Sequence, residues 1–361
     1  MILRDVINIF NKSAIKAGEG SENGKYPLYT CSPIINKYLN EFICEKEAII
    51  LSTGGNFSIH YVNGKFNYST DCLVFNSNTF KTKYLYYYLL SKKSSINNMF
   101  RGSGLKHLNK KELMNLELTN VEPSIQEKII KELDYISNAI SNRKNQIQNF
   151  DDLIKSQFFS LFGDVENNNY KKEKLYKIAK VSSSHRVFTS EFVESGVPFF
   201  RGMEISQLAN DEVPKINYYI SEEHYKKICD KDTKPKIGDL LLPSICDKGQ
   251  IWQVNTDKPF YYKDGRVLSI SLFNNNINKK YFHYYMKLKT ISEYSKLGTG
   301  TTFSEFKIFI LKNLDIIIPP IDLQDKFADI LNIVEKNKKI LKKDIDDLEQ
   351  LLQIKMNKYF N

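Results

Sequence analysis

The sequence predicts an α+β protein made of two copies of one unit, in which a mixed globule leads into a long helix. Three observations predict this fold: segments that recur late in the chain, apolar residues at heptad spacing over two long stretches, and β-rich alternation ahead of each stretch. We expect the two helices to pair as a long antiparallel two-helix coiled coil that separates two α/β globules, with a pseudo-two-fold internal repeat.

The repeat is clearest at the start of each long helix. Residues 121–140 read VEPSIQEKIIKELDYISNAI, and residues 318–337 read IPPIDLQDKFADILNIVEKN. An offset of 198 positions aligns Gln126 with Gln324, and upstream, with small gaps, KYLYYYLL at 83–90 matches KYFHYYMK at 280–287. The repeat predicts four parts: globules at 1–121 and 164–318, and helices at 122–163 and 319–361.

The globules are predicted from runs that alternate apolar and polar residues and that Asn-Gly or Asp-Gly turns interrupt. In the first copy these runs are EAIILST (47–53) and HYVNGKFNYSTDCLVF (60–75). In the second copy they are GDLLLPS (238–244) and GQIWQVNTDKPFYYKDGRVLSISLF (249–273). The aromatic-rich segments that follow, near 81–93 and 278–295, are predicted to be short helices.

The long helices are predicted from apolar residues whose steps alternate between four and three. Pro123 and the pair Pro319–Pro320 stand where a helix begins, because a missing N–H costs nothing there. About 37 helical residues would span roughly 55 Å. The alternative is that each helix packs on its own globule. The predicted helix–helix interface consists of Ile129, Leu133, Ile136, Ile140, Ile147, Phe150, Ile154, Phe327, Leu331, Val334, Leu341, Ile345, Leu348 and Leu352.

The charge balance favours a polyanionic partner. The chain of 361 residues has 52 Lys and Arg against 42 Asp and Glu, which gives a net charge of +10. A basic surface that only aids solubility is the alternative. Five scattered cysteines without a CxxC pair predict neither a zinc site nor disulfides, and with no signal peptide or apolar span they indicate a cytoplasmic protein.

The sequence offers no convincing catalytic motif. It has no GxxxxGK[ST] loop and no GxSxG elbow, and its GxG pairs lack the third glycine of a dinucleotide site. Ile318 occupies the position where the Asn/Asp-Pro-Pro-aromatic motif of amino-methyltransferases needs a polar residue. Glu305-Phe306-Lys307 is a chance-level ExK. The five histidines lack ligand spacing. We therefore predict no catalytic and no metal-binding residue.

Several segments together resemble the specificity (S) subunit of type I restriction-modification systems, from end to end. They are EPSIQEKI (122–129), IPPIDLQDKF (318–327), DDLIKSQFFSLFGD (151–164), EQLLQIKMNKYF (349–360), PFFRGMEI (198–205), GDLLLPS (238–244) and GTGTTFSEFKIFIL (298–311). The first copy departs from the pattern, since NVEPSIQEK has a single proline.

The resemblance implies a non-catalytic subunit with two target-recognition domains, each of which reads one half of a split sequence in double-stranded DNA. It implies that the paired helices set the gap between the half-sites and bind two modification (M) subunits, which methylate adenine with S-adenosylmethionine. Restriction (R) subunits would then use ATP and Mg to cut unmodified DNA. No cofactor is expected in this chain and no membrane as a partner. The alternatives are a coiled-coil adaptor without DNA binding and a stand-alone DNA-modifying enzyme.

The candidate DNA-binding residues are polar or basic and lie in loops, since base edges and phosphates are read by such side chains. They follow the buried strands, precede the long helices, or lie in the second globule: Ser52, Thr53, Asn56, Arg101, Ser103, Lys106, His107, Ser184, His185, Arg186, Arg201, Ser244, Asp247, Lys248, Lys296, Thr299, Thr301 and Thr302. For the M subunits, the polar flanks of the helices and their aromatic ends at 158–162 and 359–360 are the candidates; the alternative for these ends is packing within the chain itself.

Overall fold

The computed structural model describes residues 1–166, 168–230, 233–273, 276–297 and 304–360. The chain forms two compact units. Unit 1 contains Met1–Ile147 and Ile340–Asn361, and unit 2 contains Gln148–Lys339. The units therefore divide each long helix, whereas the sequence predicted the helices as separate segments.

Unit 1 opens with a 3₁₀ turn at Leu3–Asp5 and contains the first eight strands. Its elements are β1 (Ile7–Ile9), β2 (Tyr26–Tyr29), β3 (Tyr38–Leu39), β4 (Cys44–Ser52), β5 (Ile59–Tyr68), β6 (Cys72–Ser77), α1 (Thr82–Ser91), α2 (Lys93–Asn97), β7 (Phe100–Arg101), β8 (His107–Leu108), α3 (Lys110–Met114) and α4 (Pro123–Phe162), whose residues after Ile147 belong to unit 2.

The main sheet of unit 1 has the strand order β1-β6-β4-β5-β2-β3, and its central strand β4 pairs antiparallel with both β5 and β6. Successive side chains of β4 point to opposite faces, as the period of a strand requires. Ile49 and Leu51 pack with the aromatic helix α1, while Ala48 and Ile50 pack in a second cluster with Phe66. Both faces of the sheet therefore carry buried apolar clusters.

Unit 2 begins within α4 and ends within the second long helix. Its elements are β9 (Lys172–Lys174), α5 (Leu175–Ile178), β10 (Ala179–Ser182), a 3₁₀ turn at Thr189–Glu191, β11 (Phe192–Val193), β12 (Val197–Phe200), α6 (Gly202–Ala209), β13 (Tyr219–Ile220), α7 (Glu222–Ile228), β14 (Leu240–Pro243), β15 (Trp252–Gln253), β16 (Tyr261–Tyr262), β17 (Val267–Leu272), α8 (Lys279–Tyr294), α9 (Ile308–Lys312), β18 (Asp315–Ile317) and α10 (Ile321–Phe360), whose residues from Ile340 belong to unit 1.

Unit 2 keeps the plan of unit 1 with shorter strands. One sheet has the order β10-β17-β14-β15 and another has the order β11-β13-β12-β16. β12 pairs parallel with β16, as β2 pairs parallel with β5 in unit 1. The phenol of Tyr285 on α8 donates to the carbonyl of Asp315, and Tyr88 on α1 donates to the carbonyl of Glu117. The predicted repeat is confirmed in these pairings, and the aromatic helices lie where the sequence placed them.

In unit 1 the first part of α4 packs antiparallel against the last part of α10. Ile136 and Ile140 form a buried cluster with Ile345. The Lys144 ammonium lies 2.8 Å from the Glu349 carboxylate, and Lys355 pairs with Glu132. Side chains late in α10 thus meet side chains early in α4, which is the register of an antiparallel pair.

Three of the rings predicted as docking residues, Phe158, Phe162 and Phe360, are buried within the chain, so docking through them is not expected, whereas Phe159 is exposed. In unit 2, Phe158 and Phe162 at the end of α4 are buried, and the Phe162 ring lies 4.8 Å from the Tyr281 ring. In unit 1, Phe360 at the end of α10 packs 5.4 Å from the Tyr84 ring. Burial of these rings removes a large apolar area from water, which explains why both helices end in the same pattern.

The predicted apolar stripe is buried or half-buried, and its middle packs helix on helix. Ile129 and Leu133 also belong to the core of the unit 1 globule. Ile154, Phe327, Leu331 and Val334 belong to the core of the unit 2 globule, with Phe150 packed against it. The two helices also touch at this end, since the Phe327 ring on α10 lies 5.5 Å from the Phe158 ring on α4. The Tyr284 ring on α8 lies 5.2 Å from the same Phe327 ring, so these residues belong both to the helix pair and to the globule. The separation of the globules by the coil stays a prediction.

Candidate nucleic-acid interface

In unit 1 the turn that follows β4 is fixed by two neighbouring segments. The Thr53 N–H donates to the carbonyl of Asp71 at 2.9 Å, and the Thr53 hydroxyl donates to the same oxygen at 2.8 Å. The Leu108 N–H donates to the Thr53 carbonyl at 3.0 Å. The turn therefore joins the start of β6 to the end of the β7–β8 hairpin.

The β7–β8 hairpin completes this loop cluster. The Gly55 N–H donates to the Lys106 carbonyl at 2.9 Å, which brings two of the predicted groups of residues together. Asn56, Ser103, Lys106 and His107 are exposed. Arg101 is also exposed, but its guanidinium pairs with Glu112 at 2.9 Å. The cluster thus presents polar and cationic groups on a backbone that is already ordered.

Unit 2 repeats the same arrangement. The Ser244 N–H donates to the Arg266 carbonyl at 2.9 Å, as Thr53 does to Asp71. The Phe306 N–H donates to the Ser244 carbonyl at 2.7 Å, as Leu108 does to Thr53. Each unit therefore holds one loop cluster built on one hydrogen-bond pattern, with different side chains on it.

The segment 262–267 contacts three of the candidates in unit 2, namely Ser184, Arg186 and Ser244. The Ser184 hydroxyl donates to the Tyr262 carbonyl, and the Arg186 guanidinium lies 3.5 Å from the Asp264 carboxylate. Arg266 pairs with Glu305, and Lys263 is exposed. The sequence marked this segment only as an Asp-Gly turn. The signal that could have identified Lys263 and Arg266 is that they flank this turn on both sides.

Arg201 lies beside the same cluster in a fixed position. Its guanidinium donates to the buried Glu204 carboxylate at 2.9 Å and lies over the Tyr218 ring at 4.5 Å. Although burial raises the pKa of Glu204, the hydrogen bonds from Arg201 outweigh it, and the pKa is lowered. Gly202 follows directly, and a side chain there would meet Pro243 at 3.2 Å. Most of the positive charge of Arg201 is therefore compensated within the unit.

Three candidates are placed where direct contact with DNA is not expected. Ser52 is buried, where its hydroxyl donates to the Asn56 carbonyl and accepts from the Ser58 N–H. Ser244 is buried, with its hydroxyl 3.3 Å from the Glu305 carboxylate. Lys296 is exposed, yet it pairs with Glu166 and Glu293. These residues shape the loops, because their polar groups are already used within the chain.

The remaining candidates of unit 2 differ in how many of their polar groups are already bonded within the chain. Asp247 and Lys248 are exposed after β14, and Asp247 accepts a hydrogen bond from Gln250 at 2.8 Å. The His185 ring lies 3.0 Å from the Asp230 carboxylate. The backbone N–H of His185 donates to the Tyr261 hydroxyl. Thr299, Thr301 and Thr302 lie outside the described residues.

A thiol lies beside the loop cluster of unit 1. The hydrogen bond from the Cys72 thiol lowers the pKa of Cys31 to about 6, and the N–H groups of Gly54 and Thr53 act in the same direction. The Cys31 sulfur also lies 3.2 Å from the Asp71 carbonyl. The Cys31 sulfur thus neighbours the same Asp71 carbonyl that anchors the turn after β4.

Within the described ranges, no group of three or more His, Cys, Asp or Glu side chains is placed to hold a metal ion. None of the helices in the described part of the chain is both long and apolar enough to span a bilayer.

Comparisons with known proteins agree on one family. The model of the type I restriction modification DNA specificity domain matches residues 1–149 and 167–350. The type I restriction enzyme MjaVIII specificity subunit of Methanocaldococcus jannaschii is 25% identical over 300 residues, covering 76% of this chain and 68% of that subunit. The EcoDI specificity subunit of Escherichia coli is 26% identical over 141 residues, which span 39% of this chain and about a third, 32%, of that subunit.

Solved structures support the fold. The type I restriction-modification S subunit from M. genitalium is similar with a TM-score of 0.59 at 16% identity, over 100% of this chain and 95% of that one. A chain from a type I restriction-modification system studied for complex assembly and conformational transition gives a TM-score of 0.54 at 15% identity, over 100% of this chain and 97% of that one.

Proposed function

This chain belongs to the type I restriction-modification DNA specificity family, and we propose on that premise that it recognises a bipartite target in double-stranded DNA. Unit 1 would read one half-site and unit 2 the other. The observation that carries this proposal is the repeated loop cluster. One backbone pattern presents Asn56, Lys106 and His107 in unit 1 and Asp247, Lys248 and Lys263 in unit 2.

The contrast between the two clusters supports an asymmetric target. Base edges are distinguished by hydrogen-bond donors and acceptors in the major groove. The carbonyl that anchors the turn belongs to an aspartate in unit 1 and to an arginine in unit 2, namely Asp71 and Arg266. Two loop clusters that share one backbone arrangement but carry different side chains would read two different short sequences.

The proposal includes a scaffold role without catalysis in this chain. We propose that two M subunits bind the exposed flanks of α4 and α10, and that R subunits join the complex, all in the cytoplasm. S-adenosylmethionine, ATP and Mg would then be bound by those partners. Apolar side chains remain exposed on both helices and replace the aromatic ends as docking candidates: Tyr135, Ile333, Ile340 and Ile354.

We propose further that the two long helices set the number of base pairs between the half-sites. Each is a continuous helix of 40 residues. Deletion of one heptad from each helix should shorten the spacer of the recognised motif. An unchanged spacer would contradict this part of the proposal.

The experiment that tests the proposed function is expression of the chain with its M subunit, followed by mapping of methylated adenines across the genome of the host. We expect one motif with two specific parts and a fixed central spacer. The chain without its M subunit should methylate nothing. Methylation by the chain alone, or no sequence-dependent binding to duplex DNA by the complex, would overturn the proposal.

A further inference from the structure

The tip of the β7–β8 hairpin carries an apolar side chain that the interior of unit 1 does not use. Phe100 and Leu108 at the base of the hairpin are buried, whereas Leu105 at the tip is 70% exposed. No other leucine among the described residues is exposed to that extent. A single exposed apolar side chain is common on protein surfaces; what distinguishes Leu105 is its place at the tip of an ordered hairpin, next to exposed lysines.

The tip is held in one conformation. Gly102 has a φ of 143°, and a side chain there would lie 2.7 Å from the Leu105 carbonyl, so only glycine closes the loop in this way. The Lys106 carbonyl accepts from the Gly55 N–H, and the Leu108 N–H donates to Thr53. The position of Leu105 is thus fixed relative to the turn after β4.

The positive charge around the tip favours nucleic acid over protein as the binding partner of Leu105. Lys106, Lys110 and Lys111 are exposed. Of the neighbouring cations, Arg101 alone has an acidic partner, Glu112, among the residues that the structure describes. Protein interfaces are depleted of lysine around their apolar centres, whereas phosphates attract it.

We propose that Leu105 packs against a thymine methyl group in the major groove of the first half-site, while Lys106 contacts a phosphate. The inference rests on the proposed function. A two-stranded ribbon fits the major groove, and the thymine methyl is the one apolar feature that the base pairs present there. A half-site that contains a methylatable adenine also contains a thymine, so the ligand is available.

Binding of the complex with its M subunit to its mapped target tests this inference, with deoxyuridine in place of each thymine of the first half-site in turn. Deoxyuridine lacks only the methyl group. At one position we expect about a fourfold loss of affinity for the unchanged chain, the size expected for one buried carbon. Leu105→Ala should bind more weakly and should show no further loss at that position.

The neighbouring lysine is the internal comparison. Lys106→Ala should lower the slope of log affinity against log salt by about 0.9, whereas Leu105→Ala should leave that slope unchanged. Ile34→Ala removes a side chain that is 69% exposed elsewhere in unit 1 and should change neither quantity.

The outcomes separate the two proposals. If the unchanged complex fails to distinguish its mapped target from a scrambled duplex, the proposed function and this inference both fail. If the unchanged complex distinguishes the two duplexes while Leu105→Ala still loses affinity at every thymine that is replaced by deoxyuridine, the inference about Leu105 alone fails. Loss of M-subunit binding in Leu105→Ala, with DNA affinity unchanged, would also overturn it and assign Leu105 to a protein contact.

Discussion

Gln324 makes the same two side-chain hydrogen bonds in unit 2 that Gln126 makes in unit 1. The Gln126 carbonyl accepts from the Lys81 N–H at 2.8 Å, and its amide donates to the Val121 carbonyl at 2.7 Å. The Gln324 carbonyl accepts from the Asn278 N–H at 2.9 Å, and its amide donates to the Pro319 carbonyl at 2.8 Å. Both side chains are buried and join the start of a long helix to the start of an aromatic helix.

Replacement of either glutamine should destabilise the protein. Gln126→Ala leaves a buried N–H and a buried carbonyl without partners, and each such group costs about 1–3 kcal/mol. Urea unfolding of the full chain measures the loss. Gln353→Ala, on the exposed face of α10, should change the free energy of unfolding by about 0.5 kcal/mol or less. Equal losses of stability in Gln126→Ala and Gln353→Ala would show that the hydrogen bonds of Gln126 do not stabilise the protein.

Phe158 and Phe159 are adjacent on α4, but their replacement by alanine should affect stability to different extents. Phe158 is fully buried in unit 2, whereas Phe159 is 38% exposed. Phe158→Ala should lower the free energy of unfolding by about 3–5 kcal/mol, because it opens a cavity. Phe159→Ala should cost much less. If Phe158→Ala instead left stability intact and weakened M-subunit binding, the original docking role of the helix end would be restored.

Lys248 and Lys296 should differ in their contribution to DNA binding. Lys248 is exposed, and its ammonium has no partner within the described ranges, whereas Lys296 pairs with Glu166 and Glu293. Lys248→Ala should therefore reduce the salt dependence of binding by a slope of about 0.9. Lys296→Ala should leave that slope unchanged. The reverse pattern, measured by titrations at several salt concentrations, would contradict the placement of the interface.

Acid should destabilise unit 2 through His283. Burial, together with the nearby Lys287, lowers the pKa of His283 to about 4, while its ring hydrogen bonds to the Ile251 carbonyl at 2.8 Å. The ordinary pKa is about 6.5. Between these values the unfolded chain binds more protons than the folded one, so stability falls as the pH drops from about 6.5 to about 4.

Urea midpoints across that pH range, measured for His283→Gln, check this prediction. The stability of the variant should fall less steeply with decreasing pH than the stability of the unchanged chain. His107→Gln, at an exposed position, should keep the original profile. An identical profile for all three proteins would show that His283 does not carry the effect.

The repeat and the long helices could be predicted because their signals are local and periodic. Each heptad position that we named on α4 and α10, from Ile129 to Leu352, is buried or half-buried. The heptads could not predict what covers each position, since Phe158 and Phe360 are buried by aromatic helices that periodicity does not relate to them.

The candidate site was predictable only as a set of loops. Thr53 and Lys106 were named for separate reasons, and the hydrogen bond between Gly55 and Lys106 that brings them together is a tertiary contact. Ser52 and Ser244 follow apolar strands in the same way as exposed turn residues do, so their burial could not be predicted from the local pattern. Arg266 was missed because its role depends on the carbonyl that anchors Ser244.

Methylation mapping of paired loop variants tests most directly the central claim that each unit reads one half-site. The first variant is Thr53→Ala with Asn56→Ala in unit 1, and the second is Arg186→Ala with Asp247→Ala in unit 2. A lost base contact costs about 1–3 kcal/mol of discrimination. We predict that the first variant relaxes one half of the motif and the second relaxes the other half. Relaxation of the same half by both variants, or a motif without two parts, would contradict the account.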